Sequence, residues 1–347
     1  MKLSVCIPTY NRAGHLANCL SSLVKNRERS PVEFEVCVSD NGSTDNTEEV
    51  VRAAQARLPI RYHRNERNLG IPRNFLNVVS MATGEFAWLV GDDDLLVPDC
   101  IERLLRLIET HPGVDFFYIN SFHLTTEFVR SFPQPFDTAN LPRDMQPFSS
   151  WTQAGELPFL GLIDPRISFD FLGGMFLAVF RRQRWIDNAG ALDAAAIADM
   201  RTFSHFDNTF PHVKIFSRAF AKSRAYFNPE PLSVCLTGAR EWAPMYPFVK
   251  SVRLVEALRE YRRNGLPLLR YWRCKNFALG NFIPDLGSMI IHRERSGLKY
   301  VKKVPLVLSN LPYPNFYLSL VYFIVRKSRR AWASLMTPAA ESPSKRI

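Results

Sequence analysis

Five short runs of β-branched and apolar residues mark the first 120 positions: LSVCI (3–7), FEVCVS (34–39), IRYH (60–63), FAWLV (86–90) and VDFFYIN (114–120). Each is bounded by turn-forming or polar residues, the pattern of buried strands. Between them the apolar spacing changes to three and four. Leu16, Leu20, Leu23 and Val24 share one helix face, and Ile71, Phe75, Val78, Val79 and Ala82 share another. Asp99 with Glu102 forms a capping-box signature, Pro98 blocks extension backwards, and Ile101, Leu104, Leu105 and Ile108 give a third buried face. Alternating strands and helices predict an α/β fold with a parallel sheet flanked by helices.

Beyond residue 120 the pattern loosens. Residues 121–170 are punctuated by Pro, Phe and Gly and show little periodicity, which predicts a segment that wraps the site or moves. FLGGMFLAVFRRQRW (171–185) returns to strand and then helix, and HFDNTFPHVKIF (205–216) is a polar-apolar element rich in candidate ligands.

Length and composition then bound the class. The chain has 347 residues, 46% of them hydrophobic, enough for one large domain or two ordinary ones. Net charge is +11, unevenly placed: residues 1–249 hold 25 Lys/Arg against 28 Asp/Glu, and residues 250–330 hold 17 against 4. A basic segment faces nucleic acid, an anionic membrane or a phosphorylated substrate, or is simply a solvated face. The six cysteines form no C-x-x-C pair, and Cys6 and Cys37 sit inside strand-like runs, which suits a reducing cytoplasm. MKLSVCIPTYNR has too short an apolar run for a signal peptide. YPNFYLSLVYFIVRKSRR (313–330) falls short of the ~20 residues of a spanning helix; it reads equally as an interfacial helix or as a core helix with a charged end.

The candidate chemistry lies in loops after strands. WLVGDDDLLVPD (88–99) sets Asp92, Asp93 and Asp94 side by side between a buried strand and a helix. Adjacent carboxylates raise one another's pKa unless a cation or hydrogen-bond donors compensate. Mg2+ or Mn2+ supplies that compensation, commonly held by one or two carboxylates with substrate phosphates completing the shell. In an open α/β sheet ligands bind outside the carboxyl ends of the strands. PTYNR (8–12) and SDNGSTDNT (39–47) fall at the same edge. There Asp40 is read as a ligand for a base N–H, whereas Ser43 is read as forming the turn and capping the next helix. NERNLGIPRN (65–74) adds Asn68, Gly70 and Arg73, the glycine permitting close backbone approach and the arginine able to stack on or bond a base.

Taken in order, LSVCIPTYNRAGHLANCLSSL, FEVCVSDNGSTDNTEEVV, NLGIPRN and LVGDDDLLVP resemble the N-terminal half of a glycosyltransferase family 2 enzyme, and more loosely its bacterial surface-polysaccharide, abequosyltransferase-like branch. The resemblance covers residues 2–110. It implies a GT-A fold, a nucleotide-sugar donor, a divalent metal and inversion at the anomeric carbon. By motif, Pro8, Thr9, Asn11 and Arg12 would line the nucleotide pocket, Asp40 would read the base and Arg73 would sit near it. Asp92 and Asp94 would be the D-x-D pair, Asp94 the main metal ligand, and Asp92 or Asp93 would contact ribose or metal. Gly173 and Gly174 match the family's Gly-Gly strand of the acceptor half. The usual Glu-Asp pair is absent, so the general base falls to Asp207, with Asp199 in reserve. His212 and His205 are read as structural.

The implied organisation is a nucleotide-sugar-binding half (1–120), an acceptor-binding half (121–245) and a basic, aromatic helical region (246–347). The acceptor would be a glycan or a lipid-diphosphate-linked sugar at the inner leaflet, in surface-polysaccharide (O-antigen or capsule) synthesis. Nucleic acid is not expected as a partner, since no groove-reading or base-stacking motif is present. A non-catalytic nucleotide-sugar-binding protein is the alternative, as is a nucleotidyltransferase. The latter would carry a Gly-rich, Lys/Arg-containing loop after the first strand, a character IPTYNRAG lacks.

Overall fold

A computed structural model describes residues 1–169, 173–238 and 242–336. Phe171 and Leu172, in the predicted Gly-Gly strand, and residues 337–347 of the C-terminal region lie outside the described residues.

The chain divides into two compact units, Met1–Ala243 with Glu256–Cys274, and Pro244–Val255 with the residues from Lys275 on. The first unit is built on a mixed sheet. Strands β1 (Leu3–Thr9), β2 (Glu35–Asp40), β3 (Ile60–Arg64) and β4 (Phe86–Leu89) are parallel and lie in the order β3-β2-β1-β4. Every residue of β1, β2 and β4 is buried, which is why these strands read as continuous apolar runs. The connecting helices are α1 (Ala13–Arg29), α2 (Thr47–Gln55) and α3 (Ile71–Met81).

After β4 come β5 (Leu95–Leu96), α4 (Cys100–Thr110), β6 (Phe116–Thr125), α5 (Thr126–Arg130) and β7 (Gly155–Pro158). Then follow β8 (Ala178–Arg181), α6 (Arg182–Asn188), α7 (Ala194–Ala198), α8 (Phe206–Thr209), α9 (Pro211–Ala219) and β9 (Arg224–Thr237). β8 is antiparallel to both β4 and β6, whereas β9 runs parallel to β6 and antiparallel to β5 and β7. The sheet is therefore mixed beyond β4.

One face packs on α1 and α4. Leu16, Leu20, Leu23 and Val24 are buried with Val5, Ile7 and Trp88, as are Ile101, Leu104, Leu105 and Ile108. The other face holds an aromatic cluster in which Phe116 and Phe180 pack edge-on against Phe216 at 5.1 and 5.0 Å, and Trp185 stacks on Phe180 at 5.1 Å. Two helix expectations need correction. Ile71, the first residue of α3, is 43% exposed and does not join the buried face, which Val78, Val79 and Ala82 carry further along. Asp99 does not cap α4: its φ of 62° is left-handed, which swings its side chain away from the helix amides and toward Arg29 at 3.6 Å.

In the second unit, helices Phe282–Ile291, Lys303–Leu308 and Pro314–Met336 follow one another. The Ser251 hydroxyl donates to Asp285 at 2.6 Å, and the Phe316 and Phe282 rings lie 5.3 Å apart. No helix among the described residues is long and apolar enough to cross a membrane.

Candidate active site

Parallel register carries the ends of β1, β2 and β4 to one edge. Thr9 pairs with Asp40 across β1 and β2, and Asp40 with Arg64 across β2 and β3. The Val90 N–H bonds Cys6 O, so the chain leaving β4 delivers the three aspartates beside the end of β1.

There the Thr9 hydroxyl donates to Asp92 Oδ2 at 2.8 Å and the Arg12 guanidinium to Asp92 Oδ1 at 2.8 Å. Arg12 also stands 3.4 Å from Asp93 Oδ2. Asp92 is buried, and burial pushes its carboxyl up to about 7; Arg12 opposes this, Asp93 adds to it and Thr9 opposes it. Asp94 closes a tight turn, its N–H bonding Gly91 O at 3.1 Å while its Oδ2 accepts from the Gly91 N–H at 2.9 Å. A Cβ on Gly91 would stand 2.9 Å from both Asp93 Oδ1 and Asp94 Oδ2, so a side chain there would push the two carboxyl ends from their positions.

These residues fit a divalent metal. The donors are all oxygen, the chemistry of Mg2+ and Mn2+ sites, and a dication would offset the burial that raises the Asp92 carboxyl together with the neighbouring charge of Asp93. Among the described residues no group of three or more His, Cys, Asp or Glu forms a protein-only cage. An ion would thus take one or two carboxylates and complete its shell from a ligand.

The neighbouring loops are ordered by side chains. Asp40 is fully buried, its Oδ1 accepting from the Ser43 N–H and its Oδ2 from the Tyr62 hydroxyl, both at 2.8 Å. Ser43 is not the cap predicted for it: its hydroxyl accepts from the Asn11 N–H at 2.8 Å, and α2 begins after Asn46. Asn11, at φ 51°, accepts through Oδ1 from the Thr44 N–H at 2.7 Å and so ties the first loop to the second. Pro8 lies buried within β1, opposite Ser39.

An asparagine network escaped the sequence reading. Asn41 donates to Asn68 Oδ1 at 2.8 Å and accepts from Leu69 N–H at 2.9 Å and Asn65 Nδ2 at 3.1 Å. Gly70 N–H also bonds Asn68 Oδ1 at 2.8 Å, and Asn74 donates to the carbonyls of Ser39 and Thr9 at 3.0 and 3.3 Å. Thus Asn68 and Gly70 shape the loop that leads into α3. Arg73, in the first turn of α3, has no hydrogen-bond or ion-pair partner among the described residues. Beside Arg12 opens a cleft of about 820 Å3 lined also by His15, Asn18, Arg130 and Gln134.

The predicted acceptor-side residues occupy a second cluster. Gly173 and Gly174 do not form a strand: they precede a single helical turn, Met175–Leu177, and β8 starts only at Ala178, the glycines lacking the side chains that pack a strand into the sheet. Helices α7 and α8 pack against α3, and Met200 lies over Gly70. Asp207, at the start of α8, is buried; Oδ2 accepts from Lys214 Nζ and from the Asp193 N–H, both at 2.7 Å. Oδ1 has no hydrogen-bond partner among the described residues. Asp199 is saturated by comparison. The Arg201 fork bonds both its oxygens, Ser204 donates at 2.8 Å and His205 Nε2 lies 3.2 Å away, and Arg201 above all holds this carboxyl far below the usual range. His212 is buried among Phe75, Phe210 and Phe216, and burial drives its imidazole down to about 3.

Comparison with known proteins places this geometry. Residues 4–149 match the sequence profile of glycosyl transferase family 2. The abequosyltransferase RfbV of Salmonella typhimurium is 30% identical over 248 residues, 68% of this chain and 66% of that protein. The poly(ribitol-phosphate) β-N-acetylglucosaminyltransferase TarS of Staphylococcus aureus is 35% identical over 112 residues, 32% of this chain and 19% of that one. The chain thus spans about two thirds of the first relative and far less of the second. In three dimensions, TarS 1–349 in complex with UDP superposes with a TM-score of 0.52 at 19% identity, over 82% of this chain and 72% of that chain. The mannosyltransferase PcManGT of Pyrobaculum calidifontis, in complex with GDP-Man and Mn2+, gives 0.51 at 17% identity, over 96% and 87%. The fold is the one these enzymes share.

Proposed function

Through residues 4–149 the chain belongs to glycosyl transferase family 2, and on that premise we propose that it moves a sugar, with inversion, from a nucleoside-diphosphate donor to a hydroxyl of a glycan or lipid-linked oligosaccharide in surface-polysaccharide synthesis. The observation that carries this reading is the meeting of Thr9, Arg12 and Asp92–Asp94 at the edge where Asp40 ends β2.

Asp92 and Asp94 would hold a Mg2+ or Mn2+ ion, which when bound neutralises charge gathering on the departing nucleoside diphosphate. Thr9 and Arg12 fix the orientation of Asp92 before any ligand arrives, so little reorganisation remains on binding. Asp40, Asn68, Gly70 and Arg73 form the nucleoside side of the pocket: Asn68 and Gly70 by shaping the loop, and Arg73 by offering an unengaged guanidinium.

Asp207 takes the proton of the attacking acceptor hydroxyl. Lys214 and the Asp193 amide anchor one of its oxygens and leave the other for that proton, the arrangement a positioned general base needs. Asp199 is the poorer base, since the Arg201 fork lowers its proton affinity.

Calorimetric titration with UDP, GDP, CDP and dTDP, each with Mn2+ and with EDTA, tests the reading. Metal-dependent binding of one nucleotide, lost in Asp94→Ala, is expected. Absence of binding by all four would overturn it.

A further inference from the structure

The C-terminal helix is apolar on the wrong side for a water-facing element. Phe316 and Ser319 turn inward: Phe316 is packed on Phe282, and the Ser319 hydroxyl accepts from the Ile283 N–H at 3.2 Å. At the helical period, the opposite face is made of Tyr317, Val321, Ile324 and Val325, and the first three are 60%, 52% and 55% exposed. A surface helix normally shows the reverse, with its apolar stripe inward and its polar residues outward. A contiguous apolar surface of this kind marks an interaction site.

The charge on the same segment identifies the partner. Within the unit that holds this helix, residues 244–255 and 275–330 carry 12 Lys/Arg against 2 Asp/Glu. Two copies meeting on this face would bring two basic surfaces together, whereas an anionic bilayer supplies both the apolar phase and the opposite charge. Arg326 and Lys327 follow the apolar stripe directly, Arg326 bonding Asn281 and Lys327 lying over the Phe323 ring at 5.1 Å, at the edge of the packed face, where long cationic stems can reach headgroups while the rings and branched chains enter the acyl boundary. The helix cannot span: the uncharged residues 314–325 cover only ~18 Å at the helical rise, against ~30 Å of hydrocarbon.

We propose that the outward face of residues 314–325 in this helix, centred on Tyr317, Val321 and Ile324, docks in plane on an anionic lipid surface. The docking does not rest on the sugar-transfer reading, because its residues lie outside the nucleotide site.

Flotation of the full chain with phosphatidylcholine vesicles, and with vesicles also containing phosphatidylglycerol, tests it. The protein should float with the anionic vesicles alone and be released by high salt. The double variant Val321→Asp, Ile324→Asp should lower the partition about tenfold or more while its unfolding transition and nucleotide binding stay unchanged. Failure of the wild type to float with anionic vesicles, or equal flotation of the double variant, would overturn the proposal. So would a wild-type dimer in solution that the double variant dissociates, which would assign the face to a second copy.

Discussion

Arg12 and Asp92 stand eighty positions apart in sequence and 2.8 Å apart in the fold, joined by a charge-assisted hydrogen bond that β1–β4 pairing makes possible. The same guanidinium reaches the half-buried Asp93, so it holds the buried Asp92 carboxylate beside a neighbour that would otherwise repel it. Replacing Arg12 by Ala removes that clamp and, on the proposed reading, a cation of the donor site. We expect nucleoside-diphosphate affinity to fall about tenfold or more, since a hydrogen bond to a charged group is worth roughly 1.5–3 kcal/mol. Arg12→Lys should recover part of the loss. Calorimetry on the two variants reads this out; wild-type affinity in Arg12→Ala would remove the residue from the donor site.

Asp207→Asn keeps shape and one hydrogen-bond acceptor but cannot take a proton. If Asp207 is the base, sugar transfer should drop by roughly 100- to 10,000-fold, with nucleotide affinity unchanged because the donor edge is untouched. Initial rates with saturating donor, set beside a binding isotherm, separate the two effects. Full turnover would move the base elsewhere.

Why part of this was legible and part was not follows from where each signal lies. β1, β2 and β4 are buried on both faces, so their burial is written as unbroken apolar runs, and the helical stripes of α1 and α4 follow from spacing. β9 was not legible. Pro229, Glu230 and Pro231 interrupt it, and only pairing with β6, β5 and β7 makes Arg224–Thr237 a strand. The Asp99–Glu102 spacing points to a cap, but the turn from β5 into α4 holds Asp99 in the left-handed region, which local sequence does not announce. At the site, three adjacent aspartates after a buried strand were conspicuous. The bonds that hold them were not: Thr9 and Arg12 reach them through strand register, and Asn41 after β2 meets Asn65 and Asn68 of the loop before α3, while Asn74 bonds back to β1 and β2 from within α3.

Part of the protein's acid sensitivity should trace to Glu35. This side chain, at the start of β2, accepts from the Ser4 hydroxyl at 2.6 Å, from the Thr83 N–H and hydroxyl at 2.5 and 2.8 Å, and from the Gly84 N–H at 3.3 Å. Burial alone would raise its pKa, but the bonds from Ser4 and Thr83 outweigh it and leave the carboxyl below its ordinary 4.5. A carboxyl lowered by folding stabilises the native state above its unfolded pKa, and that contribution disappears as pH falls through the folded value. Stability should therefore be flat from neutral to about pH 5 on this account and decline below 4.5. Glu35→Ala, which strands the buried Ser4 hydroxyl and removes the acceptor of the Thr83 donors, should cost about 1–3 kcal/mol at neutral pH and make the acid limb shallower. Urea unfolding at a series of pH values checks both, and an unaltered acid limb in the variant would exclude Glu35 as the cause.

Gly42 offers a test of how tightly the nucleotide-side loops are set. It adopts φ +79°, a region that costs a residue with a Cβ about 1–2 kcal/mol. Space is also lacking: an added Cβ would stand 2.9 Å from Arg67 C and 3.2 Å from Asn65 O, backbone atoms of the loop that carries Asn68 and Gly70. Rotation of a side chain cannot relieve such a contact, so one loop must shift from the other. The shift would pull Ser43 from its bond to Asp40 Oδ1, 2.8 Å in the native arrangement, and strain the Asn41 to Asn68 link. We expect Gly42→Ala to lower unfolding free energy by about 2–4 kcal/mol. Gly113→Ala is the matched control: a Cβ there meets nothing within 4 Å, and its φ is not in the left-handed region. Its change should stay within about 0.5 kcal/mol. Because the Gly42 contact lies between two loops of the same pocket, nucleotide binding should weaken along with stability. If stability fell while affinity held, those loops would be packed together for the fold alone, and the nucleoside would have to be bound by other residues of this edge.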